Sequence, residues 1–249
     1  MPPGPGPCYD PGVTVAAVIL AASPQSALAD ADGLPSVRRI ADVAWSGGAV
    51  PIIVVSFDPD GAVAAALAGA PVTLAEPEPE PAAGPAGQMA RGIEVAIAEV
   101  RETSAALIWP AGMTWVGPET VTSLIEAHGT SGTALLVPTF EDETGWPVLL
   151  SITDLPTLRQ VAPTVMPTDV VSGLGAQIEQ RSLALGDPGV THDRRTARAD
   201  LPPYAGPSEP AGGHVHEWGS PAADEPDEGP LEGPALAPYG PADSDAEPG

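Results

Sequence analysis

Six short runs of apolar, often β-branched residues recur along the middle of the chain, and they constrain its fold more than any other feature. They are VTVAAVILAA (13–22), VPIIVVSF (50–57), PVTLA (71–75), SAALIWP (104–110), TALLVP (133–138) and WPVLLSI (146–152). A strand with one wet face alternates apolar and polar side chains, whereas most of these runs are apolar on both faces. That is the pattern of a parallel sheet covered by helices. Longer amphipathic stretches lie between and after the runs, and helices are expected over 35–46, 60–69, 87–102, 118–128 and 169–184. Strand and helix alternating at this spacing form βαβ units with right-handed crossovers. The expected fold class is therefore α/β, a three-layer α/β/α sandwich around a Rossmann-like, mostly parallel sheet.

The clearest helix is GPETVTSLIEAHG, where Pro118 suits the first helical position, Glu119 complements the positive N-terminal end and Gly129 is an expected stop. Val121, Leu124, Ile125 and His128 share one face of it, and Met89, Ile93, Ala96, Ile97 and Val100 share the inner face of 87–102. The segment EPEPEPAAGPAG (76–87) is too rich in proline for helix or strand. It is expected as an exposed loop beside the carboxyl end of the third strand, the edge where such sheets bind ligands. Composition divides the chain into a Pro/Gly leader (1–12), the patterned domain (13–202) and a tail (203–249) with ten acids and no arginine. A tail of that kind is expected to be solvated and disordered.

The formal charge is −24, from 33 acids against nine bases, and all nine bases are arginine. So acidic a surface argues against nucleic acid and anionic membranes as partners, since both need a neutralising basic patch. The lone Cys8 has no second thiol for a disulfide or a metal knuckle. No apolar run approaches the roughly 18–20 residues of a membrane span. The start MPPGPGPCYDPG lacks the basic and apolar regions of a signal peptide. Together these features point to a soluble, cytoplasmic protein.

Five stretches, in order, carry a family resemblance: AAVILAAS at the first strand and turn, LIWPAGMTWVGPETVTSLIEAHG, GWPVLL, GLGAQIEQ (173–180) and GVTHDRRTARADLP (189–202). They resemble the MobA-like nucleotidyltransferases, the molybdenum cofactor guanylyl- and cytidylyltransferases, over about residues 13–202. The resemblance implies a sheet of the nucleotide-diphosphosugar transferase type. It also implies attack by a phosphorylated, pterin-like acceptor on the α-phosphate of CTP or GTP, with Mg²⁺ bridging the phosphates. Such a site works by charge management: glycines admit backbone N–H groups to the triphosphate, cations neutralise it and carboxylates hold the metal.

The family's first loop is Leu-Ala-Ala-Gly-x-Ser-x-Arg-x-Gly-x-x-Lys, and Leu20, Ala21 and Ala22 keep its opening. Ser23 replaces the first glycine, Gln25 the serine, Ala27 the arginine, Ala29 the second glycine and Asp32 the lysine. The nucleotide-binding positions carried over are thus Leu20, Ala21, Ala22 and Ser23. Gly112 stands where the family has its metal aspartate, and Trp146 where it has a histidine before Pro147. Asp193 and Thr196 remain in the last segment, while Arg195 replaces its second acid. These substitutions imply a pseudoenzyme, with catalysis lost or strongly reduced. The alternative within this fold is a non-catalytic binding or regulatory protein that uses the crevice or the acidic tail to hold a protein partner. An active enzyme would need Mg²⁺ and a substitute for the loop cation, Arg38 or Arg39 being nearest.

Other groups have two readings each. Asp193 is a metal ligand or a solvated acid, and Glu141–Glu143 form a replacement Mg²⁺ site or an exposed turn. Arg194, Arg195 and Arg198 grip a phosphate or pair with local carboxylates. His214 and His216 in GGHVHEWG are half of a transition-metal site, or part of a docking peptide anchored by Trp218. Trp45, Trp109, Trp115 and Trp146 are expected in the core or at its rim rather than as stacking platforms. No Ser-His-Asp arrangement is supported by local context.

Overall fold

The computed structural model describes residues 14–75, 83–163 and 166–206, all within the unit Met1–Ser208. The first strand, β1 (Thr14–Ala21), is buried almost throughout and lies in the interior of the sheet. It is followed by the short helix α1 (Pro24–Leu28), the hairpin β2 (Asp30–Ala31) and β3 (Leu34–Pro35), and helix α2 (Ser36–Ser46). Strand β4 (Ile52–Ser56), helix α3 (Ala62–Ala66) and strand β5 (Thr73–Leu74) come next, then helix α4 (Gly84–Glu99) and strand β6 (Thr103–Pro110). Helix α5 (Pro118–Ser131) leads to β7 (Leu135–Phe140), β8 (Glu143–Thr144) and β9 (Val148–Ser151). Helices α6 (Leu155–Leu158) and α7 (Pro167–Gly175) and the edge strand β10 (Gln180–Ala184) complete the regular elements of the described residues, with short 3₁₀ turns at Ile152–Asp154, Pro188–Val190 and Arg198–Asp200.

The strand order is β10-β7-β9-β6-β1-β4-β5, with β8 paired to β7. Strand β1 is parallel to both neighbours, Ala17 facing Ile52 of β4 and Leu107 of β6. Strand β9 alone separates β6 from β7 and is antiparallel to both. The sheet is thus mixed and mostly parallel, as the doubly apolar runs imply. Chain direction reverses across β1: the chain first steps to β4 and β5 on one side, then crosses through α4 to β6 on the other. Right-handed crossovers in opposite directions put their helices on opposite faces. Helix α4 accordingly lies across the sheet from α2 and packs with α6 and α7; α5 packs with α2, although the β6–β7 crossover it forms runs in the same direction as the one through α4.

Helix α2 buries Val37, Ile40, Ala41 and Ala44, the i, i+3, i+4, i+7 stripe of an amphipathic helix. Helix α4 buries Met89, Ile93 and Ala96 as expected, while Ile97 and Val100 are only partly covered. Three sequence expectations need correction. Helix α5 passes through Gly129 and ends at Gly132, whose left-handed φ of 61° supplies the stop. The helix expected over 169–184 ends at Gly175, and 180–184 is strand. Strand β10 is an edge whose residues are mostly exposed, so it carries no doubly buried apolar run to reveal it. Helix α4 begins at Gly84, so the end of the expected 76–87 loop is its first turn; residues 76–82 lie outside the described residues. No helix among the described residues is long and apolar enough to cross a membrane.

Candidate functional site

The reversal of chain direction between β4–β1 and β6 leaves a crevice outside the carboxyl ends of β1 and β6. In open α/β sheets this is the position where diverging loops leave room for a ligand. A cavity of about 180 Å³ lies there. Leu20, Ala22 and Ser26 line it from the β1 side, and Pro110, Ala111 and Gly112 from the β6 side. Pro85 and Gln88 of α4 and Pro167 of α7 close it. None of these side chains is ionisable. The two walls are joined by the Ala111 N–H, which donates to the Leu20 carbonyl at 2.8 Å.

Leu20 and Ala21 are buried at the end of β1, whereas Ala22 is exposed and Ser23 half-buried. Ser23 caps α1, and Pro24 occupies its first turn. The Ser26 N–H donates to Ser23 Oγ, and the Ser23 N–H donates to Ser26 Oγ, closing a reciprocal capping box. The Ala27 N–H is taken by the Ser23 carbonyl, and Pro24 has no N–H to offer. A loop that cradles phosphate must turn such donors toward the ligand. Here those of Ser23, Ser26 and Ala27 are taken within the loop itself.

Asp32 begins the two-residue connection between β2 and β3, where it and Gly33 have φ of 61° and 83°. Asp-Gly in that geometry is a favoured hairpin turn, and the Gly33 N–H donates to Asp30 Oδ1. The Asp32 carboxylate pairs with Arg198 at 2.6 Å. Of the two arginines proposed as substitutes for the loop cation, Arg38 lies away from the crevice, held by Asp42 and the Ala68 carbonyl. Arg39 does not line the crevice either: it donates to the Thr114 carbonyl at 2.9 Å and stacks 5.1 Å above the Trp115 ring. Burial and then the charge of Arg198 lower its pKa, while Asp32 acts in the opposite sense.

The closing segment is stitched across the same edge. The Arg194 N–H donates to the Gly112 carbonyl and its guanidinium to the Ser26 carbonyl, while Trp115 Nε1 donates to the carbonyls of Asp193 and Thr196. Gly112 and Asp193, the two positions the family resemblance associates with metal, are therefore neighbours. Gly112 has no carboxylate. Asp193 accepts Arg195 Nε and pairs with its terminal nitrogen at 2.6 Å, and Oδ1 accepts the Arg195 N–H. The Arg195 hydrogen bond holds the Asp193 carboxyl below the usual carboxylate range. A guanidinium thus occupies the ligand face of the one remaining acid. Among the described residues no group of three or more His, Cys, Asp or Glu is arranged to hold a metal. The described residues do not fit the divalent ion of an active nucleotidyltransferase.

The other expected candidates disperse. Glu141 and Asp142 form the tip of the β7–β8 hairpin, with φ of 50° and 68°, which is the exposed-turn reading of that acidic run. Trp109 is fully buried, with Nε1 donating to the Met113 carbonyl; Trp146 is buried and Trp45 is 53% exposed. His214, His216 and Trp218 lie outside the described residues. Sequence reasoning missed Asp187, which is 3% exposed and accepts the Gly117 N–H, the Thr120 hydroxyl and the Gly189 N–H. It ties the start of α5 to the closing segment. Asp-Pro-Gly signalled a turn there, but nothing local named its partners.

The family profile described as the MobA-like NTP transferase domain matches residues 23–176. No curated protein matches. Among solved structures, the chain resembles Rv0371c from Mycobacterium tuberculosis H37Rv in complex with manganese, at 22% identity and a TM-score of 0.54, covering 70% of this chain and 89% of that one. A nucleotidyl transferase from Methanothermobacter thermautotrophicus matches at 16% identity and a TM-score of 0.55, covering 70% and 88%. A 4-diphosphocytidyl-2C-methyl-D-erythritol synthase matches at 14% and 0.56, covering 72% and 92%. These likenesses are of fold, and they agree with the mixed, mostly parallel sheet. The profile match covers more than half of the 249 residues, and the chain belongs to the MobA-like NTP transferase family.

Proposed function

We propose that this protein keeps the nucleotidyltransferase frame and has lost, or strongly reduced, transfer of a nucleoside monophosphate from an NTP to a phosphorylated acceptor. The observation that carries the reading is that the groups such chemistry requires are absent or consumed at the crevice. The loop donors close a capping box, Asp32 replaces a cation, Gly112 lacks a carboxylate and Asp193 is held by Arg195. Stabilising charge in the transition state is the main task of a phosphoryl-transfer site, and removing one such group typically costs about 3–4 kcal/mol. Several losses together leave little catalysis. CTP or GTP, a pterin-like acceptor and Mg²⁺ belong to the ancestral reaction in this reading. The present role is non-catalytic binding, through the crevice or, with a protein partner, through the acidic tail.

Calorimetric titration with CTP, GTP and ATP, with and without Mg²⁺, tests this. The expected result is no Mg²⁺-dependent binding at millimolar nucleotide. Micromolar, Mg²⁺-dependent binding of any of the three would overturn it.

A further inference from the structure

A second cavity, of about 390 Å³, opens beside the start of α5 and shares no lining residue with the crevice. Its volume lies toward the lower end of the range for small-molecule pockets. Two unlike charges line it. Glu119, exposed in the first turn of α5, has no hydrogen bond or ion pair for its carboxylate among the described residues. Arg198 gives Nη1 to Asp32 at 2.6 Å, which leaves Nε and Nη2 unspent among the described residues. The two side chains lie beyond ion-pair distance of one another. Asp187 also lines the cavity, but its oxygens already accept the Gly117, Thr120 and Gly189 donors. The rings of Trp115 and Tyr204, with Pro188 and Leu201, supply apolar surface. Burial, then Glu119 and Asp187, raise the pKa of Tyr204, while Arg198 adds to burial in lowering that of Arg39, which stacks on Trp115. The cavity is therefore negative beside Tyr204 and positive beside Trp115.

From these features we infer that this cavity binds a free amino acid with an apolar side chain, its ammonium toward Glu119, its carboxylate toward Arg198 and its side chain against Trp115, Pro188 and Leu201. Nε and Nη2 of a guanidinium form one edge, and two parallel N–H donors on that edge match the two oxygens of a carboxylate. The Tyr204 hydroxyl, which has no hydrogen-bond partner among the described residues, offers the ammonium a second acceptor. A ligand with one charge gains at one end and is opposed at the other, since Glu119 repels a carboxylate and Arg198 repels an ammonium. A zwitterion gains at both. The inference shares no residue with the crevice, so it stands or falls apart from the proposed loss of catalysis.

The test is calorimetric titration of the full chain with L-leucine, L-methionine, L-phenylalanine and L-tryptophan. Each is set beside its amide, which keeps only the ammonium, and its N-acetyl derivative, which keeps only the carboxylate. At least one amino acid is expected to bind, with both derivatives weaker by about tenfold or more. Glu119→Gln should weaken that amino acid by about fivefold or more and leave its N-acetyl derivative no weaker. Arg198→Gln should weaken the amino acid by about as much and leave its amide no weaker. Asp32→Asn removes the partner of Arg198 without touching the cavity, and should not weaken binding. All three positions are exposed, and thermal melts check that the variants fold. If no amino acid binds at millimolar concentration, the inference fails while the loss of catalysis stands. A derivative that binds as tightly as its parent shows a site for one charge and overturns the inference. Amino-acid binding indifferent to Glu119→Gln or to Arg198→Gln places the ligand elsewhere and overturns it too.

Discussion

Removing the Asp187 carboxylate should destabilise the protein more than any other single change in the closing segment. The side chain is 3% exposed and accepts hydrogen bonds from the Gly117 N–H at 2.8 Å, the Thr120 hydroxyl at 2.6 Å and the Gly189 N–H at 2.8 Å. Bonds to a charged group are worth about 1.5–3 kcal/mol each. Asp187→Ala loses all three and leaves donors at the start of α5 and of the Pro188–Val190 turn without their partner. Relief from burying the carboxylate offsets part of the loss, which leaves a net cost of about 3–5 kcal/mol. For a domain of this size that lowers Tm by roughly 6–20 °C. Asp187→Asn is the finer probe. Its oxygen can keep the Gly117 and Thr120 bonds, but its amide nitrogen must then face the Gly189 N–H, so the cost should be smaller, about 2 kcal/mol. Urea unfolding followed by tryptophan fluorescence measures both. A loss below about 1 kcal/mol for Asp187→Ala would refute the assignment of this residue as the tie between α5 and the closing segment.

Gly145→Ala should cost about 2 kcal/mol or more, because its Cβ would meet the Val190 carbonyl, a backbone atom that cannot swing aside. Gly112→Ala, with nothing within 4 Å of its Cβ, should stay within about 0.5 kcal/mol; denaturant midpoints compare the two. His128 is buried, with Nε2 3.4 Å from Ser104 Oγ and Nδ1 unpaired, and burial lowers its pKa, with the Thr133 backbone opposing. Its folded pKa lies below its unfolded one, so stability is full above about pH 6.5 and falls as pH drops through that value. His128→Gln should flatten that part of the unfolding pH profile. Asp32→Lys combined with Gly112→Asp should restore Mg²⁺·NTP affinity. At ~8 Å and an effective dielectric of ~40, reversing one charge beside a single phosphate charge is worth about 2 kcal/mol, or roughly thirtyfold. A double variant no better than the parent by calorimetry would show that the loop donors, rather than the charges, set the limit.

The six strand runs were legible because a strand covered on both faces needs nothing but apolar side chains, and such runs have few other uses. Helices α2, α4 and α5 were legible through their buried stripes. Strand β10 was not, because an edge strand with Gln180, Arg181 and Ser182 outward has no apolar pattern, while Val171, Leu174 and Ile178 prolong a helical period past Gly175. Helix α1 was written locally, in Ser23-Pro24 followed by Ser26, but those residues invite a comparison with a phosphate loop instead of with a cap. At the site, the departures from the family's pattern at Ser23, Asp32 and Gly112 could be named from the resemblance alone. Their consequences could not. That Arg198 reaches Asp32 across 166 positions, or that Trp115 holds the carbonyls of Asp193 and Thr196, depends on how the closing segment crosses the sheet edge. Of the two arginines expected near the loop, only packing decided that Arg39 turns to Thr114 and Trp115 while Arg38 pairs with Asp42.

Metal binding tests the account most directly, because Gly112 carries no carboxylate and the Asp193 carboxylate is paired with Arg195. Mn²⁺ would be titrated into the full chain in the presence of CTP or GTP, with free Mn²⁺ followed by electron paramagnetic resonance. The account predicts that the protein retains no Mn²⁺ beyond what the nucleotide itself takes up, with or without Asp193→Ala. Micromolar Mn²⁺ retained by protein and nucleotide together, and lost in Asp193→Ala, would contradict it.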